Sequence, residues 1–171
     1  MSKNVTVTAV ERPARKLILL RSVRATHFGS FCEEVGCDWI DTLNAIPEKM
    51  DTAALLCTWP STLPCPGTDG GTVAAGVEVP YDYASALPAG YETIDLPPCT
   101  MLYFQSEPFA NEDDWPTAMG IAWNAMETYD LTGNGWQPAP ELAPRFNFGS
   151  YSKTGAKNAM PVKYEKCEMR K

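Results

Sequence analysis

Short apolar stretches typical of β-strands alternate along this chain with two amphipathic helical patterns. Residues 5–10 alternate valine with threonine or alanine, and residues 16–24 contain a Leu-Ile-Leu-Leu run, so both stretches predict strands. Between residues 31 and 46 apolar side chains recur at spacings of three and four, which predicts one helix with a single apolar face. The members of that face are Phe31, Val35, Trp39, Leu43 and Ile46. Residues 53–59 and 72–80 predict two further strands.

The second half of the chain repeats this order. Aligning Pro13 with Pro97 places the strand after the first proline over a similar apolar stretch after the second. A second helical pattern follows and ends near Gly133. Its apolar face consists of Trp115, Met119, Ala122, Trp123 and Met126. Residues 145–148 and 158–162 then predict the closing strands.

The pattern therefore predicts a strand-helix-strand-strand unit used twice. Repeat one spans about residues 5–80 and repeat two about residues 91–163, with a turn-rich connector between them. Residues 77–80 match residues 158–161 in position. The predicted fold class is α+β.

Composition places the chain among ordinary globular proteins. Its 171 residues fit a single domain over residues 1–171, and 44% hydrophobic with 20% charged residues exclude wholesale disorder. A net charge of −7 argues against direct binding of nucleic acid, which rests on cationic side chains. No apolar run approaches the ~20 residues that span a bilayer, and the N-terminus has no secretory pattern. We expect a cytoplasmic protein that does not associate with membranes.

The cysteines and the single histidine show no metal-binding pattern. The six cysteines contain no CxxC pair, and His27 is the only histidine. Zinc sites need closely spaced cysteine and histidine ligands. We expect reduced cysteines packed as small apolar side chains, no disulfide framework, no metal and no cofactor.

Four short motifs follow one another along the second half. They are Tyr-Glu-Thr-Ile-Asp-Leu-Pro at residues 91–97 running into Met-Leu-Tyr-Phe at 101–104, a helix around Trp123, Pro-Arg-Phe at 144–146 and Met-Pro-Val-Lys at 160–163. In order and spacing they resemble the GyrI-like small-molecule-binding domain. This domain is the effector-binding domain of AraC-type and MerR-type bacterial multidrug regulators, which act in transcription regulation.

The resemblance implies two pseudo-symmetric repeats whose strands form a saddle-shaped antiparallel sheet. It implies that both helices pack on one face and that the ligand lies in a groove on the other, concave face. We expect a stand-alone member without a DNA-binding segment of its own. Its implied partner is a small hydrophobic or cationic aromatic ligand.

The strand at residues 145–148 supplies the first candidate site residues. Alternation places Phe146 and Phe148 on one face, which we expect to pack on the helices, and Arg145 and Asn147 on the concave face. In the family the position of Asn147 is commonly a glutamate that pairs with cationic drugs. An amide offers no countercharge and cannot act as a base, so this departure weakens both a cation preference and hydrolase chemistry.

Glu78 is the alternative groove carboxylate. It lies between Val77 and Val79, so it faces the groove if those valines face the helices. Tyr103 is a candidate for stacking on a ligand or donating a hydrogen bond. Each residue also has a purely structural interpretation, Glu78 as a solvated strand residue and Tyr103 as packing under a helix end.

Four tryptophans complete the candidate ligand-binding set. Trp39 and Trp123 lie at the centres of the helical patterns, where core packing competes with a role in walling the groove. Trp59 and Trp136 lie at loop junctions, where an exposed indole favours ligand contact.

Three functions from different classes fit these observations. The first, which we favour, is binding of amphipathic aromatic molecules, including cationic ones, by a sensor or sequestering protein. The second is hydrolysis of strained or electrophilic small molecules with Glu78 and Tyr103 as catalytic residues, since some GyrI-like relatives hydrolyse cyclopropane-containing compounds. The third is a protein-interaction role, such as binding gyrase or a regulator partner.

Overall fold

The computed structural model describes residues 4–58 and 71–165, which contain nine strands and three α-helices. The first half contributes β1 (Val5–Arg12), β2 (Arg15–Arg21), α1 (Phe28–Val35), α2 (Trp39–Asn44), β3 (Ala54–Thr58) and β4 (Ala74–Pro80). The second half contributes β5 (Glu92–Leu96), β6 (Cys99–Ser106), α3 (Trp115–Thr128), β7 (Trp136–Pro138), β8 (Arg145–Tyr151) and β9 (Gly155–Tyr164). The predicted α+β fold is confirmed.

The strand order gives the sheet a pseudo-two-fold axis. The order is β1-β6-β9-β8-β3-β4-β2-β5, with β7 on β9, and the pairings are antiparallel. Exchanging β1 with β5, β2 with β6, β3 with β8 and β4 with β9 reverses this order and leaves it otherwise unchanged. The axis therefore passes between β3 and β8, a pairing that we call the central seam. The first strand of each half pairs with the other half.

The pairing register tests the two repeat alignments made from the sequence. Strands β2 and β6 each begin two residues after the aligned prolines, at Arg15 and Cys99. In that frame the residue opposite Lys16 is Val79, and its counterpart opposite Thr100 is Val162. The match of residues 77–80 with 158–161 is therefore wrong by two residues, because that match aligned Pro80 with Pro161. The outer limits of the two repeats stay a prediction.

Both helical units pack on one face of the sheet. Ile18, Leu55 and Val77 lie under α1 and α2, and Leu102 and Phe104 lie under α3. Alternation sends the neighbouring residues of these strands to the opposite face. That face buries a second apolar cluster, which includes Leu17, Leu19, Leu56, Met101, Phe146 and Phe148. The expectation that Phe146 and Phe148 pack on the helices is wrong.

The single helix expected over residues 31–46 is two helices. Gly36, with a φ of 85°, ends α1 in a backbone conformation that L-residues rarely adopt. The break brings the Cα atoms of Cys32 and Cys37 to 4.8 Å, and the two cysteines form a disulfide. The expected reduced state is thus wrong for this pair, whereas Cys57 and Cys99 are free thiols.

The longest helix, α3, has 14 residues. Among the residues that the structure describes, no helix is long and apolar enough to cross a membrane.

Candidate ligand cavity

A cavity of about 530 Å³ opens between the two helical units, above the central seam. Helices α1 and α2 and the loop before α1 form one wall, α3 forms the other, and β3 and β8 form the floor. Its lining residues are His27, Phe28, Gly29, Trp39, Ile40, Ala53, Leu55, Trp115, Met119, Asn147, Phe148, Gly149, Ser150 and Tyr151. The cavity therefore lies on the pseudo-two-fold axis and takes residues from both halves.

Aromatic side chains shape the wall that the first half contributes. The Trp39 indole meets Phe28 edge-on, with ring centroids 6.2 Å apart, and meets Phe31 at 5.9 Å. Trp39 is 4% exposed, so these contacts hold its ring in place. Across the cavity, Trp115 at the start of α3 is half exposed. A flat apolar molecule would find aromatic surface on both sides.

Asn147 is the polar residue at the centre of the floor. It lies opposite Leu55 in the seam, so its side chain shares the helix-bearing face with Leu55. Its Oδ1 accepts a hydrogen bond from the Gly149 backbone N–H at 2.9 Å. Gly149 has a φ of 92° and lies where the β8–β9 register shifts, so the strand bulges here. The bond uses the amide oxygen and leaves the amide Nδ2 without a partner in the described chain.

Three further polar groups at this place have no hydrogen-bond partner among the described residues. They are Trp39 Nε1 and Ser150 Oγ in the cavity lining, and both amide atoms of Asn158. Asn158 is fully buried and pairs directly across from Asn147. A buried polar group without a partner costs about 1–3 kcal/mol. Such groups occur in few places in a native fold, so their concentration beside one cavity makes it the candidate functional site.

No family model matches the chain, and no curated protein matches it. The structure of SAV2435 bound to tetraphenylphosphonium superposes with a TM-score of 0.55 at 17% identity, over 92% of this chain and 94% of that one. The EcmrR C-terminal domain gives a TM-score of 0.52 at 9% identity, over 96% and 99%. EcmrR in a DNA complex gives 0.52 at 10%, over 94% of this chain and 58% of that one. The chain has the GyrI-like fold. The resemblance read from the sequence is thus confirmed for the fold.

The position of the cavity within this GyrI-like fold differs from expectation. The groove was expected on the face away from the helices, with Arg145 and Asn147 both lining it. The cavity instead lies on the helix-bearing face, and Asn147 reaches it from there. Arg145 lines a separate small cavity beside Pro138 and pairs with Glu127 of α3. The error follows from the expectation that Phe146 and Phe148 pack on the helices. Because side chains alternate along a strand, that expectation also assigned Arg145 and Asn147 to the wrong face of β8.

Glu78 faces away from the helices, as the packing of Val77 and Val79 on them required. It does not line the cavity. Its carboxylate is 2% exposed, receives a hydrogen bond from Arg15 Nε, and lies 3.3 Å from Arg12 Nη2. Both arginine partners hold this carboxylate as a buried counterion, which leaves it unsuited to act as a base.

Tyr103 lies on the same face as Glu78, outside the cavity. Its ring stacks on Phe148 at 5.9 Å, with Lys157 Nζ 5.6 Å from the Tyr103 centroid. Burial, followed by the negative charge of Glu78, raises the pKa of the Tyr103 hydroxyl. A raised pKa makes Tyr103 a weaker proton donor than an ordinary tyrosine.

The tryptophans predicted for the site divide into three groups. Trp39 lines the cavity. Trp123 packs on the apolar cluster under α3, and Trp136 is buried and stacks on Tyr164 with centroids 4.4 Å apart. Trp59 lies outside the described residues.

Sequence reasoning missed several cavity residues. Phe28 follows His27, which was considered from the sequence only as a metal ligand, and Trp115 was counted with the apolar face of its helix. The sequence did contain a signal for Trp115. Three acidic residues precede it at the start of the helix, and such a charged helix end is usually exposed to solvent, where an indole is not needed for core packing. Ser150 gave no signal, because it reaches the cavity through the bulge at Gly149.

Proposed function

We propose that this protein binds a small aromatic, largely apolar molecule in the cavity between its two helical units, as a sensor or a sequestering protein. The observation that carries the proposal is the cavity itself. About 530 Å³ lies within the ~300–1,000 Å³ range of small-molecule sites, and mostly apolar lining with a few polar groups is their usual composition.

The structural neighbours support the same proposal. SAV2435 holds tetraphenylphosphonium, a molecule with four phenyl rings, and the EcmrR C-terminal domain comes from a protein that was also solved with DNA. Under this proposal, this protein would bind its ligand with the same fold that SAV2435 uses to hold tetraphenylphosphonium. A cytoplasmic location and a protein partner that reads out the ligand stay predictions.

Calorimetric titration with aromatic compounds tests the proposal when it is combined with a pair of matched variants. Gly29 lines the cavity from α1, whereas Gly120 of α3 has open space where its side chain would begin. Both glycines are helical, so Gly29→Leu and Gly120→Leu make the same chemical change in similar backbone. We expect Gly29→Leu to weaken binding at least tenfold, because the leucine takes cavity volume, and Gly120→Leu to leave the Kd unchanged.

Two outcomes contradict the proposal. The first is that no aromatic compound binds at concentrations up to about 1 mM. The second is that a compound binds with the same Kd to both leucine variants and to the wild type, which would place the site elsewhere. Thermal melts of each variant check that the fold is retained.

A further inference from the structure

We propose that the cavity selects an uncharged aromatic molecule that carries a hydrogen-bond acceptor, such as a carbonyl oxygen, and that it discriminates against cations. This inference rests on the proposed function and names the class of ligand for that site. Three observations carry it: the absence of charge in the lining, the orientation of the Asn147 amide, and the unpartnered donors around it.

The cavity lining described here contains no Asp, Glu, Lys or Arg. His27 and Tyr151 are the lining residues with titratable rings, and His27 Nδ1 accepts a hydrogen bond from the Ser30 backbone N–H at 3.2 Å. A cation that enters the cavity gives up hydration without gaining a countercharge, which is costly in an apolar enclosure. The same holds for an anion.

Aromatic walls attract cations through their ring faces. The choice between a cation and an uncharged acceptor therefore depends on which polar groups the floor of the cavity presents. The floor presents a donor. Because Gly149 N–H occupies the Oδ1 of Asn147, the partly buried side chain has its Nδ2 hydrogens left to offer. The positive end of that amide dipole repels a cation and attracts a carbonyl or ether oxygen. Trp39 Nε1, Ser150 Oγ and both amide atoms of Asn158 are buried atoms, so Asn147 offers a ligand the more accessible amide.

Each of the groups around Asn147 can also donate a hydrogen bond. Trp39 Nε1 is a donor only, and the Ser150 hydroxyl donates as readily as it accepts. Asn158 adds a second amide directly across the strand pair. Among the described residues, four have buried polar side-chain atoms without a hydrogen-bond partner. Three of these, Trp39, Ser150 and Asn158, line this cavity or adjoin Asn147, and the fourth, Arg12, lies on the other face of the sheet.

Ordered water would satisfy the same groups without implying any ligand preference. The two cases differ in a measurable way. A ligand that brings its own acceptor to Asn147 gains affinity over an isostere without one, whereas a site kept for water treats both isosteres alike.

The experiment compares three probes by calorimetry. Benzophenone and diphenylmethane are similar in size and differ by the carbonyl oxygen, and tetraphenylphosphonium supplies a bulky aromatic cation. For the wild type we expect benzophenone to bind about tenfold more tightly than diphenylmethane, and tetraphenylphosphonium to bind more weakly than benzophenone. One hydrogen bond of ordinary net strength accounts for a difference of that size.

Asn147→Asp is the decisive variant. One carboxylate oxygen can still accept from Gly149 N–H, and the other replaces the Nδ2 donor with negative charge. We expect the carbonyl preference to disappear and the affinity for tetraphenylphosphonium to rise at least tenfold. Ser150→Ala is the second variant, and we expect it to weaken benzophenone about threefold while leaving diphenylmethane unchanged. A thermal melt accompanies each titration, and Ser150→Ala carries the test if Asn147→Asp does not fold.

The outcomes separate this inference from the proposed function. Equal binding of benzophenone and diphenylmethane, or a wild type that prefers tetraphenylphosphonium, overturns the acceptor preference and leaves the cavity as a binding site. A carbonyl preference that survives both substitutions places the donor elsewhere and overturns the assignment to Asn147. If none of the three probes binds, and no other aromatic compound does, the proposed function and this inference both fail.

Discussion

The sequence predicted that Glu78 lines a ligand groove, whereas in the structure Glu78 belongs to a buried ion cluster with Arg12 and Arg15. Arg15 is fully buried, and besides binding Glu78 it donates from Nη1 to the Pro97 carbonyl at 3.0 Å. Its contacts thus join β2, β4 and the turn between β5 and β6. Two arginines on one glutamate leave the cluster with net positive charge, so the glutamate is needed to keep both guanidinium groups in an apolar surrounding.

The first prediction concerns this cluster. Glu78→Gln leaves Arg15 buried without its countercharge, and removing one partner of a buried pair costs about 3–5 kcal/mol of unfolding free energy. The matched control is Asp95→Asn, which breaks the 2.8 Å pair between Lys16 of β2, the residue after Arg15, and the exposed Asp95 of β5. Exposed pairs contribute about 0–1 kcal/mol. Urea unfolding of both variants measures the difference, and a loss below 1 kcal/mol for Glu78→Gln would show that the cluster is not what holds these strands.

Alternation along a strand was sufficient to predict which way Glu78 faces. It was not sufficient to predict what Glu78 meets, because Arg15 lies 63 positions earlier in the sequence and reaches Glu78 only through the pairing of β2 with β4. For Asn147 the reverse is true. The sequence singled out Asn147 as a candidate groove residue, and it lines the cavity, but the sequence assigned it to the wrong face, since Phe146 and Phe148 pack equally well on either side of a two-sided sheet.

At the scale of elements, α1 also holds the loop that precedes it. The carboxylate of Glu34, near the end of α1, accepts hydrogen bonds from the backbone N–H groups of Val23 and Arg24, both at 2.7 Å, and of Ala25 at 3.2 Å. Partial burial raises the pKa of Glu34, but the bonds from Arg24, Val23 and Ala25 outweigh it and hold the pKa below its ordinary value. The loop leads directly into His27, which lines the cavity.

The second prediction is a pH dependence that originates at Glu34. Because its pKa is lower in the folded protein, Glu34 contributes stability above its unfolded pKa of about 4.3, and this contribution is lost as the pH falls through the folded pKa. Glu34→Gln should lower stability by about 0.5–1 kcal/mol at pH 7, as the loss of a capping side chain does. Melting temperatures between pH 7 and pH 3 should converge for the two proteins. A constant difference across that range would show that the charge of Glu34 is not responsible.

The helical elements show where sequence patterns reach their limit. The apolar face from Phe31 to Ile46 was predicted correctly, since most of these residues pack in one cluster with the sheet. Its division into two helices was not, because the 3.6-residue period continues across the break. Gly36 and the cysteines on either side of it were the available signals, and a spacing of five residues between cysteines matches no common motif. The bulge that brings Ser150 to the cavity depends likewise on a register shift between β8 and β9.

At the scale of the whole molecule, the cavity lies above the central seam, where the two halves pair over few residues. Strands β3 and β8 pair at Leu55–Asn147 and Leu56–Phe146, and the register then shifts before Thr58–Arg145. By contrast, β1 pairs with β6 over eight consecutive residues. The helical units above the seam leave the cavity between them. A bound molecule would contact α1, α2 and α3 together and so add contacts across a seam where the two halves pair over only three residues of each strand.

The last prediction follows from that position. A ligand that binds only the folded state stabilises it by about 2.7 kcal/mol when its free concentration is 100 times Kd. In a protein of this size each kcal/mol raises the Tm by about 2–4 °C, so a rise of about 5–11 °C is expected. Because the ligand would contact both halves, the melt should stay a single transition that moves as a whole when followed by tryptophan emission and by circular dichroism. If Gly29→Leu raises the Kd tenfold, the same ligand concentration should stabilise this variant by only about 1.4 kcal/mol and so about halve the rise in Tm. If the ligand instead splits the melt into two transitions, with only one of them shifted, it stabilises one half alone and does not bridge the central seam.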